Sequence, residues 1–235
     1  MKPLFDLHTH TLASGHAYST LKENIEEAAL KGLLAMGTSD HSKKMPGTCQ
    51  PIFFNNYKVI REEIMGVKIY GGMEANIIGY DGALDMSEAI LAKMAYVIAS
   101  LHIPCIKPGT ARENTDALVG AMKNPYVKII GHPDDDRYPL EYERLVEAAD
   151  KYKVALEINN SSLRPGATRQ NAEPNLRIML EYAKKLGVRV VMGSDAHIWY
   201  DVGNLEYSVR LLEDVGYPEE LILNYSLDRL KYILN

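Results

Sequence analysis

All seven histidines of this 235-residue chain lie in short polar segments that follow apolar runs, and two carboxylates occupy equivalent places. The set comprises His8, His10, His16, His41, His102, His132 and His197 together with Glu74 and Asp195. Imidazole nitrogens and carboxylate oxygens without thiolates suit Zn²⁺, and Mn²⁺ or Fe²⁺ are alternatives for the same donors. A lone histidine is more often a hydrogen-bonded core or loop residue, but the set as a whole predicts a metal site.

The polar segments end runs that are typical of buried strands. These strand candidates begin near Pro3, Leu33, Val67, Tyr96, Lys128, Val154 and Val188, at intervals of 26 to 34 residues. That interval is the length of a strand followed by a helix, and it predicts an α/β fold with seven parallel strands. The segment after the first strand is DLHTHTLASGH, without the GxGxxG turn of a dinucleotide-binding open sheet, which favours a closed or nearly closed barrel.

Helix signals fill the intervals between the strand candidates. Thr20-Leu-Lys-Glu23 is a capping box, Gly32 stands where a C-terminal glycine is expected, and Asp85-Met-Ser-Glu88 repeats the capping pattern. Further helices are predicted over 56–65, 116–122, 140–152, 174–186 and 205–215, with a short terminal helix near 227–234. Because no linker or low-complexity tract divides the chain, we expect a single domain over 1–235.

In a parallel barrel the functional groups lie where the strands end, around one shared mouth. His8 and His10 are two positions apart, as are Asp195 and His197, so each pair can point to the same face. The predicted helices contain no histidine, so the histidines are expected on one rim, where they favour a metal cluster. Nine ligands exceed what one open ion takes, and about three or four ligands per ion predict about three ions.

The charge of such a centre indicates the chemistry that it performs. Three divalent ions carry more positive charge than Glu74 and Asp195 can balance, so the site favours an anion. A phosphate monoester supplies two negative charges and oxygens for several ions at once. Paired ions also activate a water for in-line attack and neutralise the leaving oxygen, so the residues predict phosphoester hydrolysis.

Composition excludes several other classes of function. The net charge of −5, without a basic stretch, disfavours a nucleic-acid-binding surface. No apolar run approaches the roughly 18 to 20 residues of a membrane helix, and the first residues lack the apolar core of a secretory signal. Cys49 and Cys105 form no CxxC pair and are expected to be free thiols in a reducing compartment, so we expect a cytoplasmic protein. The sequence gives no indication of the oligomeric state.

Taken together, the polar segments resemble those of a known superfamily. The segments DLHTHT, SGHAYST, DHS, GME, SLH, GHPD, EINNSS and GSDAH, in this order, resemble the PHP (polymerase and histidinol phosphatase) superfamily, most closely its YcdX-like phosphatases. The resemblance covers essentially the whole chain. It implies a PHP domain, a distorted (β/α)7 TIM-like barrel with a trinuclear metal centre and phosphatase activity.

The resemblance also implies a role for each of the nine residues. It assigns His8, His10, Glu74 and Asp195 to one ion; Glu74, as a bridge, with His102 and His132 to a second; and His16, His41 and His197 to the third. Glu74 and Asp195 would then be the catalytic carboxylates. A hydroxide between the first two ions would be the nucleophile, so no covalent intermediate is expected.

Further polar residues are candidates for binding the substrate. Arg164 and Arg169 follow the NNSS segment, and either could clamp a phosphate bidentately or be an ordinary solvated loop arginine. Lys107 and Arg112, after His102, are weaker candidates. The acidic run 134–136 either shapes the substrate mouth or caps the next helix, and the capping interpretation is favoured.

Three alternatives remain open beside a phosphatase of a small phosphorylated molecule. Histidinol-phosphate phosphatase shares the superfamily and its metal motifs. A metal-dependent amidohydrolase also uses a histidine-lined barrel, but no lysine ends a strand here. A non-catalytic metal-binding module would lack some of the ligands, and none is missing from this sequence.

Overall fold

The computed structural model describes residues 2–234 as short strands alternating with helices. The strands are β1 Phe5–Asp6, β2 Ala35–Thr38, β3 Glu63–Ile64, β4 Val67–Gly71, β5 Met73–Asn76, β6 Val97–Ser100, β7 Val127–Ile130, β8 Ala155–Asn159 and β9 Val190–Gly193. The α-helices are α1 Leu21–Leu30, α2 Ile52–Asn55, α3 Glu88–Leu91, α4 Ala111–Met122, α5 Tyr142–Tyr152, α6 Ala172–Leu186 and α7 Glu206–Asp214. Turns of 3₁₀-helix include Leu12–Ser14, Tyr57–Val59, Ser161–Leu163, Trp199–Asp201 and Leu227–Tyr232.

The strands form two sheets that are joined at two places. One sheet has the order β1-β2-β4-β3 and the other β5-β6-β7-β8-β9, and every pair except β3 with β4 is parallel. Single parallel bridges, Thr9 with Ala196 and His41 with Glu74, join the sheets at the two seams. The predicted α/β class and the distorted TIM-like barrel are thus confirmed, with β4 and β5 forming one strand position interrupted at Gly72.

Tyr96 fills the interior of the barrel below its mouth. Its hydroxyl donates to the Leu7 carbonyl at 2.5 Å, and its ring occupies the space that a Cβ at Gly37 or Gly72 would need. Residues of β6 alternate between two faces, as expected for a strand covered on both sides. Ile98 belongs to the interior cluster of Tyr96, whereas Val97 and Ala99 belong to the cluster that packs against the helices. The apolar interior leaves the strand ends as the place for polar groups.

The predicted helix over 56–65 is wrong. Only α2 and the 3₁₀ turn Tyr57–Val59 are helical there, and β3 then pairs antiparallel with β4. Met65 and Gly66 between these strands both have positive φ, 55° and 78°, which reverses the chain and cannot continue a helix. The apolar spacing of 56–65 is similar to that of a helix, but the end of the segment forms the first strand of a hairpin.

The second capping box is also wrong, whereas the first is confirmed. Thr20 and Glu23 exchange both hydrogen bonds of a capping box at the start of α1. Ser87, not Asp85, precedes the four-residue α3. The Asp85 carboxylate instead accepts hydrogen bonds from the Ser42 hydroxyl and from backbone N–H groups, including that of Asn76 at 3.1 Å.

The remaining helices begin and end within a few residues of their predictions, with two differences. α4 begins at Ala111, five residues before its predicted start, behind a capping box of Thr110 and Glu113. The terminal helix is a 3₁₀-helix, Leu227–Tyr232. Across residues 2–234, no helix has both the length and the apolar character needed to cross a bilayer.

Candidate metal centre

The seven histidines form one connected cluster at the ends of the strands. Each ring centroid lies within 5.1 Å of another histidine centroid, and the shortest separation, 4.3 Å, joins His10 and His197. Two members of the site, His132 and Asp195, have positive φ values of 32° and 53°. Non-glycine residues in this region are uncommon, and they cluster at functional sites, where the surrounding fold holds them.

Four of the predicted ligands surround one point. The Nε2 atoms of His8 and His10 each lie 3.3–3.5 Å from Glu74 Oε2 and from Asp195 Oδ1. Bonds of about 2.0–2.2 Å to one ion place neighbouring donor atoms about 3 to 3.6 Å apart. The four atoms therefore have the spacing of ligands around a single divalent ion.

The second oxygen of Glu74 faces two further histidines. Glu74 Oε1 lies 3.1 Å from His102 Nε2 and 2.9 Å from His132 Nε2. Since Oε2 faces His8 and His10, the carboxylate lies between two groups of imidazoles. This is the geometry of a bridging ligand.

A third group lies toward the outside of the mouth. The Nε2 atoms of His16 and His197 are 3.0 Å apart, while their Nδ1 atoms face the backbone carbonyls of Ser14 and Asp195. A carbonyl only accepts, so Nδ1 carries the proton in each neutral ring and the two Nε2 lone pairs face each other. A cation between these nitrogens would relieve that repulsion.

The groups that the structure brings together overlap those implied by the resemblance. Three sets have donor atoms all within 4.8 Å of one another: His8, His10 and Glu74; His41, Glu74 and His102; and His10, His41 and His197. His41 thus lies between the group around Glu74 and the outer group rather than only with His16 and His197. Its Nδ1 is 2.8 Å from Glu74 Oε2.

Unpartnered buried atoms show that these residues fit metal ions. Among the described residues, the buried side-chain atoms without a hydrogen-bond partner include His8 Nε2, His10 Nε2, His41 Nδ1 and Glu74 Oε2. A buried polar atom without a partner costs about 1–3 kcal/mol. Four such atoms that converge on one place are explained by cations that they would coordinate.

Three of the predicted ligands, Glu74, His10 and His16, have the protonation states that coordination requires. Burial alone would raise the pKa of Glu74, but the surrounding imidazoles lower it well below its usual range. Burial and neighbouring imidazoles lower the pKa of His10 well below its ordinary value and that of His16 to about 4. At neutral pH the carboxylate is therefore charged and these two rings are neutral, as coordination requires.

Glu157 is a site residue that the sequence analysis did not identify. Its Oε1 accepts from His8 Nδ1 at 2.6 Å, and its Oε2 accepts from the backbone N–H of His132 at 2.7 Å. A carboxylate behind a ligating histidine fixes the ring and its tautomer. The signal in the sequence was a single acidic residue inside the apolar strand β8, where alternation points it to the same face as Asn159.

The two candidate arginines differ in their contacts. The Arg169 guanidinium donates to Asp195 Oδ2 at 2.9 Å and to Asn159 and Ser162. Arg164 pairs instead with Asp201 at 2.5 Å. Both line a cavity of about 240 Å³, but Arg169 alone of the two contacts a predicted ligand. Lys107 and Arg112 are exposed, the latter in the first turn of α4.

The acidic run 134–136 does not cap a helix, so the favoured interpretation is wrong. α5 begins at Tyr142, well beyond the run. Asp135 bonds with Arg137 and accepts from the Gln170 N–H, and Asp136 accepts from Asn171 and Asn175. Asp134 is fully buried with both carboxylate oxygens unpartnered. The run therefore connects the loop after β7 with the loop that carries Arg169.

Comparison with known proteins adds evidence that is independent of this geometry. A family model described as the PHP domain matches residues 6–161. A probable phosphatase of Caldanaerobacter subterraneus subsp. tengcongensis is 49% identical over 235 residues, which cover 100% of this chain and 92% of that protein. A probable phosphatase of Thermoanaerobacter sp. is 45% identical over 235 residues, with 100% and 95% coverage.

The fold has a counterpart among solved structures. The histidinol phosphate phosphatase of Lactococcus lactis subsp. lactis, solved with zinc, L-histidinol and phosphate, matches with a TM-score of 0.64. The match covers 93% of this chain and 95% of that chain at 18% identity. At this identity the likeness concerns the fold alone.

Proposed function

The chain belongs to the PHP domain family, and from that premise we propose that it is a metal-dependent phosphatase that hydrolyses a small phosphate monoester. The observation that carries the proposal is the convergence of unpartnered buried donor atoms around Glu74. Two curated relatives, of which this chain covers 92% and 95%, are named probable phosphatases.

We assign the nine predicted ligands to three ions, with Zn²⁺ as the expected metal. His8, His10, Asp195 and Glu74 Oε2 would hold the first ion. Glu74 Oε1, His102 and His132 would hold the second, and the outer histidines His16, His41 and His197 the third. When bound, the ions supply an activated water at neutral pH and positive charge for the phosphate oxygens.

The chain's own residues orient the ligands and the substrate. Arg169 and Asn159 both donate to Asp195 Oδ2, which leaves Oδ1 directed at His8 and His10. The guanidinium of Arg169 lies beside the predicted ligands and would neutralise a phosphate oxygen there. Asn76 accepts from His102 Nδ1 at 2.8 Å, which turns its Nε2 toward Glu74.

Histidinol phosphate is a second candidate substrate. The reason is the structural likeness to an enzyme solved with L-histidinol and phosphate. Phosphate release from histidinol phosphate, sugar phosphates and nucleotides, compared as kcat/KM, separates the two possibilities. A preference of more than about 100-fold for histidinol phosphate would select it, because that ratio corresponds to about 2.7 kcal/mol.

Replacement of Glu74 tests the proposed activity. We expect Glu74→Gln and His102→Ala to lower phosphate release from p-nitrophenyl phosphate by more than about 100-fold, since even residues behind a metal ligand contribute 10–100-fold. Glu147→Gln, an exposed carboxylate on α5, is the matched control and is expected to be unchanged. Retained activity in the Glu74 variant, or fewer than two ions per wild-type chain by elemental analysis, would contradict the proposal.

The location in the cell also remains a proposal. Cys49 and Cys105 are both free thiols. Free thiols persist in a reducing compartment, so we expect the protein in the cytoplasm.

A further inference from the structure

Ser14 is a fully buried residue that contacts three of the seven histidines. Its Oγ lies 3.0 Å from His10 Nδ1 and accepts the backbone N–H of His41 at 3.2 Å. Its backbone carbonyl lies 3.1 Å from His16 Nδ1. Ser14 therefore links a predicted ligand of the first ion, His10, with two predicted ligands of the third, His16 and His41.

Asp40 determines the direction in which the Ser14 hydroxyl points. Ser14 Oγ lies 2.7 Å from Asp40 Oδ1, and a carboxylate only accepts, so the serine proton is donated to Asp40. The same carboxylate accepts the Thr11 N–H at 2.7 Å and the Thr11 and Thr38 hydroxyls at 2.9 and 3.3 Å. Both oxygens of the Asp40 carboxylate are thus held by hydrogen bonds.

This arrangement fixes the protonation of the His10 ring. Because the only Ser14 hydroxyl proton is used toward Asp40, its oxygen can only accept from His10 Nδ1 and from the His41 N–H. Nδ1 of His10 must then carry the ring proton, which leaves a lone pair on Nε2. That Nε2 atom is buried and unpartnered, and it faces Glu74 and Asp195.

We propose that Ser14, oriented by Asp40, is a positioning residue of the metal centre: it fixes the tautomer of His10 and the relative placement of His10, His16 and His41. The proposal rests on the proposed metal-dependent function, because it concerns the ligands of those ions. It adds a residue that contacts no ion itself and acts through the histidines.

Zinc affinity and the His10 tautomer test this role. Ser14→Ala removes the acceptor, and Ser14→Cys keeps nearly the same volume but accepts hydrogen bonds poorly. We expect both to weaken zinc binding about 10- to 100-fold in competition with a chromophoric chelator, the range found for residues behind metal ligands. In ¹⁵N spectra of the metal-free wild type, His10 should be protonated at Nδ1, and the variants should lose that preference.

A matched control separates positioning from a general loss of a buried hydroxyl. Ser208 is equally buried, and its hydroxyl donates to the Ile158 carbonyl at 3.0 Å. Ser208→Ala should lower the thermal stability of the metal-free protein as Ser14→Ala does, but it should leave zinc affinity within about 2-fold. If Ser14→Ala does not fold, the Ser14→Cys variant carries the test.

Two results would overturn the proposal. One is unchanged zinc affinity and an unchanged His10 tautomer in the Ser14 variants, and the other is an equal loss of zinc affinity in Ser208→Ala. Failure of the proposed function gives a different result, namely a wild type that binds no zinc or releases no phosphate. The tautomer of His10 in the metal-free wild type can be measured in either case.

Discussion

Replacement of Glu157 by glutamine tests whether a carboxylate behind the ligands maintains the metal centre. Both oxygens of Glu157 accept hydrogen bonds: Oε1 from His8 Nδ1 at 2.6 Å, and Oε2 from the His132 N–H at 2.7 Å and from Asn159 Nδ2 at 3.1 Å. Glutamine has nearly the same shape but only one acceptor oxygen. The NH₂ group of glutamine must therefore face either His8 Nδ1 or the His132 N–H, both of which donate a hydrogen bond to Glu157 in the wild type.

Either orientation of the glutamine is unfavourable. If the NH₂ group faces His8, Nδ1 must accept and the ring proton moves to Nε2, which removes the lone pair directed at the first ion. If it faces His132, buried N–H donors oppose each other. A buried donor without a partner costs about 1–3 kcal/mol, and at about 1.4 kcal/mol per tenfold this corresponds to roughly 5- to 150-fold weaker zinc binding.

The assay is zinc competition with a chromophoric chelator, together with thermal unfolding of the metal-free and zinc-loaded protein. Glu157→Gln should lose part of the stabilisation that zinc gives to the wild type, because binding to the native state stabilises it by mass action. Glu147→Gln makes the same chemical change at an exposed position of α5 and should match the wild type. If Glu157→Gln binds zinc as tightly as the wild type and the metal-free variant is as stable as the metal-free wild type, the role given to Glu157 behind His8 and His132 is refuted.

Three further predictions concern Arg169, the candidate for binding the phosphate, and the titration of the buried side chains of His8 and Asp134. Arg169→Met should raise KM for p-nitrophenyl phosphate about 10-fold or more, because it removes a charge-assisted hydrogen bond to the phosphate. Arg164→Met is the control: it loses a pair with Asp201 and should change KM less than about 3-fold. Equal effects of the two substitutions would contradict the assignment of Arg169. Burial lowers the pKa of His8, but the surrounding carboxylates outweigh it and raise the pKa well above its ordinary value. The ring is therefore protonated in the metal-free protein near pH 7, and zinc binding should release that proton. An indicator dye in weak buffer detects the release. Burial raises the pKa of Asp134 to about 7, well above the ordinary value of an aspartate. The folded metal-free protein therefore retains a proton that the unfolded chain loses, and this group's contribution to the free energy of unfolding falls as pH rises from about 4 to 7. Asp134→Asn should thus stabilise the metal-free protein more at about pH 8 than at about pH 5, by at most about 2.7 kcal/mol, because only about two units of the shift lie above pH 5. Urea unfolding that shows no such difference would contradict this prediction.

The strands and the polar residues that gather at their ends could be predicted because both depend on local patterns. The seven strand candidates lie at regular intervals, and each predicted strand is found within a few residues of its expected start. Parallel strands end at one rim, so polar residues that follow the strands must meet there whatever the details of packing. The predicted helix over 56–65 is wrong because the segment is too short for its apolar spacing to distinguish a helix from other structures. The positive φ values of Met65 and Gly66 form a turn there, and the chain continues as a hairpin.

The sequence by itself determined which residues gather at the mouth, but only the tertiary structure decided which atoms face one another. Glu157 and His8 are 149 positions apart, and their pairing depends on where β8 and β1 end relative to each other in space. The same reason separates Arg169, which reaches Asp195, from Arg164, which turns to Asp201. Sequence spacing describes one strand or helix at a time, whereas hydrogen-bond partners and tautomers are fixed by the packing of distant elements around a shared centre.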